Sequence, residues 1–218
     1  PTALAGAFVL GATVAAFFGM APVASQQAGF TDTQTGTILS AALIGALVLQ
    51  WPLGWLSDKA DRRLIILCSS LAGLLAALLL GLLLSSAAQI VAVVLSFVPG
   101  GTLLPLYSVC LAEVNDRIDE GELIAAASGF VLVYGVGSAA GPFAASVTMG
   151  WVGPSGLFYF IVAILGLFAA YGTLRIRLRE KTVIADKQPY VATPSTSHAA
   201  LPLHPDAQDR ATGEPAPR

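Results

Sequence analysis

Six apolar runs of about 20 residues or more, separated by short polar connectors, restrict this chain more than any other feature. About 20 mostly apolar residues are needed to cross the hydrocarbon of a bilayer, and such stretches lie at 3–24, 36–56, 64–85, 88–112, 123–149 and 156–175. Every backbone donor and acceptor inside hydrocarbon must be satisfied within its own segment, so runs this long predict helices. An outer-membrane barrel would show short alternating segments instead. With 56% apolar and only 11% charged residues, the chain could not wrap a water-soluble core without exposing large apolar patches. The expectation is an all-α membrane protein with six transmembrane helices over 1–178 and a disordered tail over 179–218. Six of the 13 prolines and both histidines fall in Thr182–Arg218, a segment too poor in large apolar side chains to fold.

Charge placement supports the same segmentation. Lys59, Arg62 and Arg63 follow the second run, Arg117 the fourth, and Arg175, Arg177, Arg179, Lys181, Lys187, Arg210 and Arg218 the sixth, so all 11 basic residues fall on one side. The positive-inside rule makes that side the cytosol and places both ends of the segment there, as expected for a multi-pass protein of an inner (plasma) membrane. The opposite connectors, 25–35, 86–87 and 150–155, carry one formal charge, Asp32. Trp51 and Trp55 near one face and Trp151 near the other fit aromatic belts. Arg175, Arg177 and Arg179 are placed to hold anionic lipid heads, at about 1 kcal/mol each. The first run lacks a basic leader and a small-residue cleavage pattern, which predicts a permanent span. Cys68 and Cys110 fall near the cytosolic ends of runs three and four, where a disulfide is not expected, and read as small packing residues. The chain opens at Pro1 with almost nothing before its first run, which suggests a missing upstream part.

The second and third runs are joined by Gly54-Trp55-Leu56-Ser57-Asp58-Lys59-Ala60-Asp61-Arg62-Arg63. Gly54 would permit close helix approach, Asp58 could sit against a positive helix N-terminus, and Lys59, Arg62 and Arg63 would anchor the loop at the cytosolic surface. In spacing and position the segment resembles the signature loop of the major facilitator superfamily, G-x-L-x-D-(K/R)-x-G-(R/K)-(R/K), here carried by Gly54, Leu56, Asp58, Lys59, Arg62 and Arg63. Asp61 stands where the family usually has Gly, and because Asp tolerates left-handed backbone the tight turn is expected to survive. In the fifth run, Gly137, Gly141 and Pro142 form a small-residue face suited to close helix packing. That face loosely resembles the G-x-x-x-G-P pattern of facilitator-type antiporters. Gln50-Trp51-Pro52-Leu53-Gly54, Leu103-Leu104-Pro105-Leu106-Tyr107 and Val133-Tyr134-Gly135-Val136-Gly137-Ser138 together look like the carboxy-terminal half of the YcaD-type branch, a group of bacterial inner-membrane facilitators. The resemblance covers residues 1–178. It implies helices 7 to 12 of a twelve-helix transporter, with a missing amino-terminal six-helix half as partner and a small solute bound between the halves near the midplane. Alternating access would come from rocking the halves. By the fold's pseudo-symmetry Asp58 would dock on a helix N-terminus of the absent half.

Pro99, Gly100, Gly101 and Pro105 weaken backbone bonding in the fourth run, which suits a kinked gating helix and equally a packed helix whose neighbours repair the bonding. Gln50, Thr102, Tyr107, Ser108 and Tyr134 are the polar side chains expected to face a central solute path, with Gln26 and Gln27 at the outer mouth. Asp32 apart, the acids lie on the cytosolic side, and Glu113, Asp116, Asp119, Glu120 and Glu122 gather between runs four and five. That loop reads as a solvated face, or as a latch pairing with Arg62 or Arg63. A proton-coupling group, often an intramembrane acid or His, is expected in the missing half or at a membrane surface. No phosphate cradle, metal-ligand cluster or nucleic-acid patch is found, so no enzyme, cofactor, metal or nucleic-acid partner is expected. The functional expectation is an ion-coupled secondary transporter, with export favoured over import by the fifth-run pattern. The rival is a truncated, non-transporting membrane scaffold.

Overall fold

The six apolar runs form six helices: α1 (Thr2–Gln27), α2 (Asp32–Lys59), α3 (Arg62–Leu83), α4 (Gln89–Asn115), α5 (Leu123–Val152) and α6 (Gly156–Ala185). The structure, a computed structural model, describes residues 2–84, 89–115 and 123–185, and side chains over 4–84, 89–114 and 124–175. The chain divides into two compact units, Pro1–Arg177 and Leu178–Arg218. Of the second, the described part is the end of α6. Arg117, Asp116, Asp119, Glu120, Glu122 and the tail from 186 lie outside the described residues.

Capping chemistry sets the starts of α2 and α3, a few residues ahead of the apolar runs. Thr31 begins α2 with a capping box: its hydroxyl accepts from the Gln34 N–H, and the Gln34 side chain accepts from the Thr31 N–H at 2.8 Å. Asp61 caps α3 by accepting from the Arg63 N–H at 2.9 Å. Its backbone is extended, φ −61° and ψ 114°, which corrects the left-handed turn expected there. The connector needs no left-handed residue because Asp61 works as a helix cap. Gly153, at φ +79°, does take the left-handed region, in the turn between α5 and α6.

α1 packs chiefly on α5, α2 on α4, and α3 on α4. Mapping α1–α3 onto α4–α6 converts the α1–α5 pair into the α4–α2 pair, the pattern of two inverted three-helix repeats. Both seams bring backbone against backbone. On α1–α5, a Cβ on Gly11 would overlap the Tyr134 carbonyl, one on Gly137 the Phe8 carbonyl, and one on Gly141 the Ala12 carbonyl. On α2–α4, a Cβ on Gly45 would overlap the Phe97 carbonyl and one on Gly100 the Ala42 carbonyl. Only glycine allows helices to approach so closely, and the gain is dispersion contact, since lipid supplies no hydrophobic drive between helices. α6 lies over α3, with Tyr159 and Phe158 against Gly81, and reaches α1 where Phe168 meets Gly6.

Leu10, Leu80, Leu106, Phe130, Leu157, Ile161 and Leu165 are fully buried between helices. Coverage differs sharply from helix to helix. About 56% of the membrane-crossing window of α1 is buried, against 22% for α2 and 17% for α5. These two helices turn long apolar faces outward, Leu43, Leu47, Trp51 and Trp55 on α2, and Leu132, Val136, Phe143 and Trp151 on α5.

Candidate functional site

Among the described residues, two ion pairs hold the α2–α3 connector. Arg62 reaches back one turn to Asp58 at 3.7 Å, and Arg63 donates from Nε to the Glu113 carboxylate on α4 at 3.1 Å. Glu113 is 9% exposed and Arg63 22%, so the second contact is a half-buried, charge-assisted bond joining the start of α3 to the end of α4. Of the expected latch partners, Arg63 and Glu113 meet, and Arg62 also faces Asp58. The Asp58 side chain is 76% exposed. Lys59 sits over the Trp55 ring, 4.0 Å from its centroid, a cation–π contact.

Gly54 was expected at a close helix approach, yet a Cβ there would meet nothing within 4 Å. What it does is leave a notch on the outward face of α2. Leu47, Gln50, Trp51, Gly54, Trp55 and Asp58 line an open groove of about 520 Å³. Gln50 thus lies on the outward α2 face, beside the connector.

The remaining candidate path residues separate. Thr102 is buried against Gly73 of α3 and donates to the Val98 carbonyl at 2.8 Å, which removes it from the path: its hydroxyl is spent on its own helix at a helix–helix contact. Ser108 is exposed and donates to the Pro105 carbonyl at 2.7 Å. Tyr107 and Tyr134 come together edge to face across α4 and α5, centroids 5.1 Å apart, and Phe130 stands behind Tyr107 at 5.3 Å. Pro99 and Pro105 lie inside α4, which continues as helix through both. Gly100 and Gly101 face the α2 backbone, so the small residues of this segment serve packing. Gly137 and Gly141 do the same against α1, and Pro142 follows within α5.

At the far end Gln26 donates to Asp32 at 2.9 Å, tying α1 to α2, and Gln34 donates to Gln89 at 3.2 Å, tying α2 to α4. Gln27 is exposed. Cys110 is buried against Gly6, whereas Cys68 is exposed on α3 and is not the packing residue expected. Among the described residues no cluster of three or more His, Cys, Asp or Glu is placed to hold a metal. Sequence reasoning missed Gly11, Gly45 and Phe130. The glycines had a signal, since each follows a small residue four positions earlier, Ala7 and Ala41, but such spacing is frequent in any membrane bundle.

The family model described as Major Facilitator Superfamily matches residues 3–202. The uncharacterized MFS-type transporter Ent638_1421 of Enterobacter sp. (strain 638) is 24% identical over 163 residues, covering 75% of this chain and 41% of that protein. The uncharacterized MFS-type transporters YcaD of Salmonella paratyphi B and Salmonella newport are each 25% identical over 159 residues, 73% of this chain and 40% of their own length. The chain therefore spans about two fifths of the length of the curated relatives it matches. No solved structure matches it.

Proposed function

The chain belongs to the major facilitator superfamily, and on that premise we propose that it is the carboxy-terminal six-helix half of a secondary transporter that moves a small solute by alternating access. The membrane is a bacterial inner membrane, the connector side faces the cytosol, and transport is ion-coupled export. One observation carries the reading. The two least covered helices, α2 and α5, expose long apolar faces, and the acid of the signature loop stands exposed at the end of one of them. A second six-helix half, docked on those faces, would cover them and bring a helix N-terminus to Asp58. The coverage of the relatives, about two fifths of their length, leaves room for such a half.

Within this half the Arg63–Glu113 pair makes the connector rigid, so that Asp58 is presented from a fixed base. Contact between the Asp58 carboxylate and a helix N-terminus stabilises the outward-facing state by about 0.3–2 kcal/mol. Opening to the cytosol breaks that contact. The test is Asp58→Asn in the full-length protein, reconstituted in liposomes and followed by cysteine accessibility on the two sides of the bilayer. The expected result is a shift of up to about 30-fold in the ratio of inward to outward states. An unchanged ratio rejects the docking.

A further inference from the structure

α4 and α5 touch only lightly compared with the glycine seams, and at their meeting point stand Tyr107, Phe130 and Tyr134. Phe130 is fully buried, whereas Tyr107 and Tyr134 are half-buried. The Tyr134 backbone is pressed by Gly11 of α1, so this tyrosine lies where α1, α4 and α5 converge. Phe8, whose carbonyl abuts Gly137 one turn further along α5, is 37% exposed. Ser108, next to Tyr107, is exposed. The Tyr107 hydroxyl makes no hydrogen bond among the described residues. The arrangement is two aromatic rings nearly at right angles, one of them backed by the buried Phe130, each carrying a hydroxyl.

We propose that Tyr107 and Tyr134 form the solute-contact site of this half, and that the solute is an aromatic amphiphile, neutral or singly cationic. The inference rests on the transporter reading and names the cargo class for it. Perpendicular rings present a face and an edge together, the geometry that a flat aromatic body completes by stacking on one and meeting the other. Ring faces also attract a cation. A phenolic hydroxyl can give or accept one hydrogen bond, which suits a single polar group on the cargo. A carboxylate or phosphate would need an opposite charge when taken out of water, and no Lys or Arg of this chain lies within its six apolar runs except Arg175, the last residue of the sixth.

The experiment uses the full-length protein in detergent and measures binding of tritiated tetraphenylphosphonium, with N-phenyl-1-naphthylamine and benzoate as competitors. Tyr107→Ala and Tyr134→Ala are each expected to weaken binding about ten-fold, the value of one lost aromatic contact. Tyr107→Phe and Tyr134→Phe should recover most of it. N-phenyl-1-naphthylamine should displace the cation and benzoate should not. Because the alanine variants could disturb folding, Ser108→Cys provides an independent readout. Tetraphenylphosphonium should slow its reaction with a maleimide several-fold. Wild-type binding that the alanine variants leave intact overturns the site, and so does an unprotected Cys at position 108. Displacement by benzoate, or no binding of the cation at all, overturns the cargo class. The transporter reading is judged separately, by whether Ser108→Cys in liposomes reacts with impermeant reagents added from either side. Reaction from one side only rejects alternating access, whatever binds.

Discussion

Asp61 shows how one side chain can replace a family glycine without cost to the connector. Its carboxylate accepts from the Arg63 N–H and satisfies one of the donors left open at the start of α3. Asp61→Ala should therefore lower stability by about 0.5–2 kcal/mol, whereas Asp61→Gly, which restores the family residue, should cost only a few tenths. Thermal unfolding of the detergent-solubilised protein separates the two outcomes. Two residues on, Arg63 faces a different test. Its partner Glu113 is nearly sealed from solvent while the guanidinium retains some exposure, so removing the carboxylate leaves a charge that water only partly recovers. Glu113→Gln should cost about 1–3 kcal/mol, below the range for a fully buried pair. A Glu113→Arg, Arg63→Glu exchange should regain part of that loss in the same assay, and no regain would mean that the pair acts through shape and not charge.

Between elements, the glycine seams dominate. Gly141 on α5 and Gly100 on α4 each have a neighbour's carbonyl where a side chain would begin. Backbone cannot yield as a flexible side chain can, so Gly141→Val or Gly100→Val should exceed the 1–3 kcal/mol of ordinary overpacking, and poor folding is expected in size-exclusion profiles. Gly135→Ala, with open space around it, is the control and should behave as wild type. Helix number and approximate bounds were legible in the sequence, because run length and charge placement both depend on the bilayer. The pairing of α1 with α5 and α2 with α4 was not. In a soluble helix the apolar stripe marks the buried face, but here the lipid-facing and protein-facing sides are both apolar, and periodicity cannot tell Leu106, which is buried, from Leu132, which is exposed. The candidate path suffered the same ambiguity. Thr102 and Tyr107 are both polar groups of α4, and only packing shows that one is enclosed against α3 while the other meets Tyr134.

For the whole molecule, the exposed faces make a prediction that distinguishes a half-transporter from a free-standing six-helix protein. Leu47 and Leu132, on α2 and α5, and Leu167, on α6, are exposed to nearly the same degree, 73%, 70% and 73%. If the six helices stood alone in the bilayer, all three positions would meet acyl chains. If a second half covers α2 and α5, only Leu167 remains lipid-facing. Tryptophan placed singly at these positions, in the full-length protein lacking its other tryptophans and reconstituted with brominated lipids, reads the difference directly. Bromine quenches only within contact range, so Leu167→Trp should be quenched strongly, and Leu47→Trp and Leu132→Trp at least about three-fold less if a half docks over standard interface dimensions. Apolar faces this long leave few alternatives to cover by protein or by lipid, since water contact would expose a patch well beyond what a soluble monomer carries. Equal quenching at all three positions would mean that lipid covers α2 and α5, and the second half would then have to dock elsewhere or be absent.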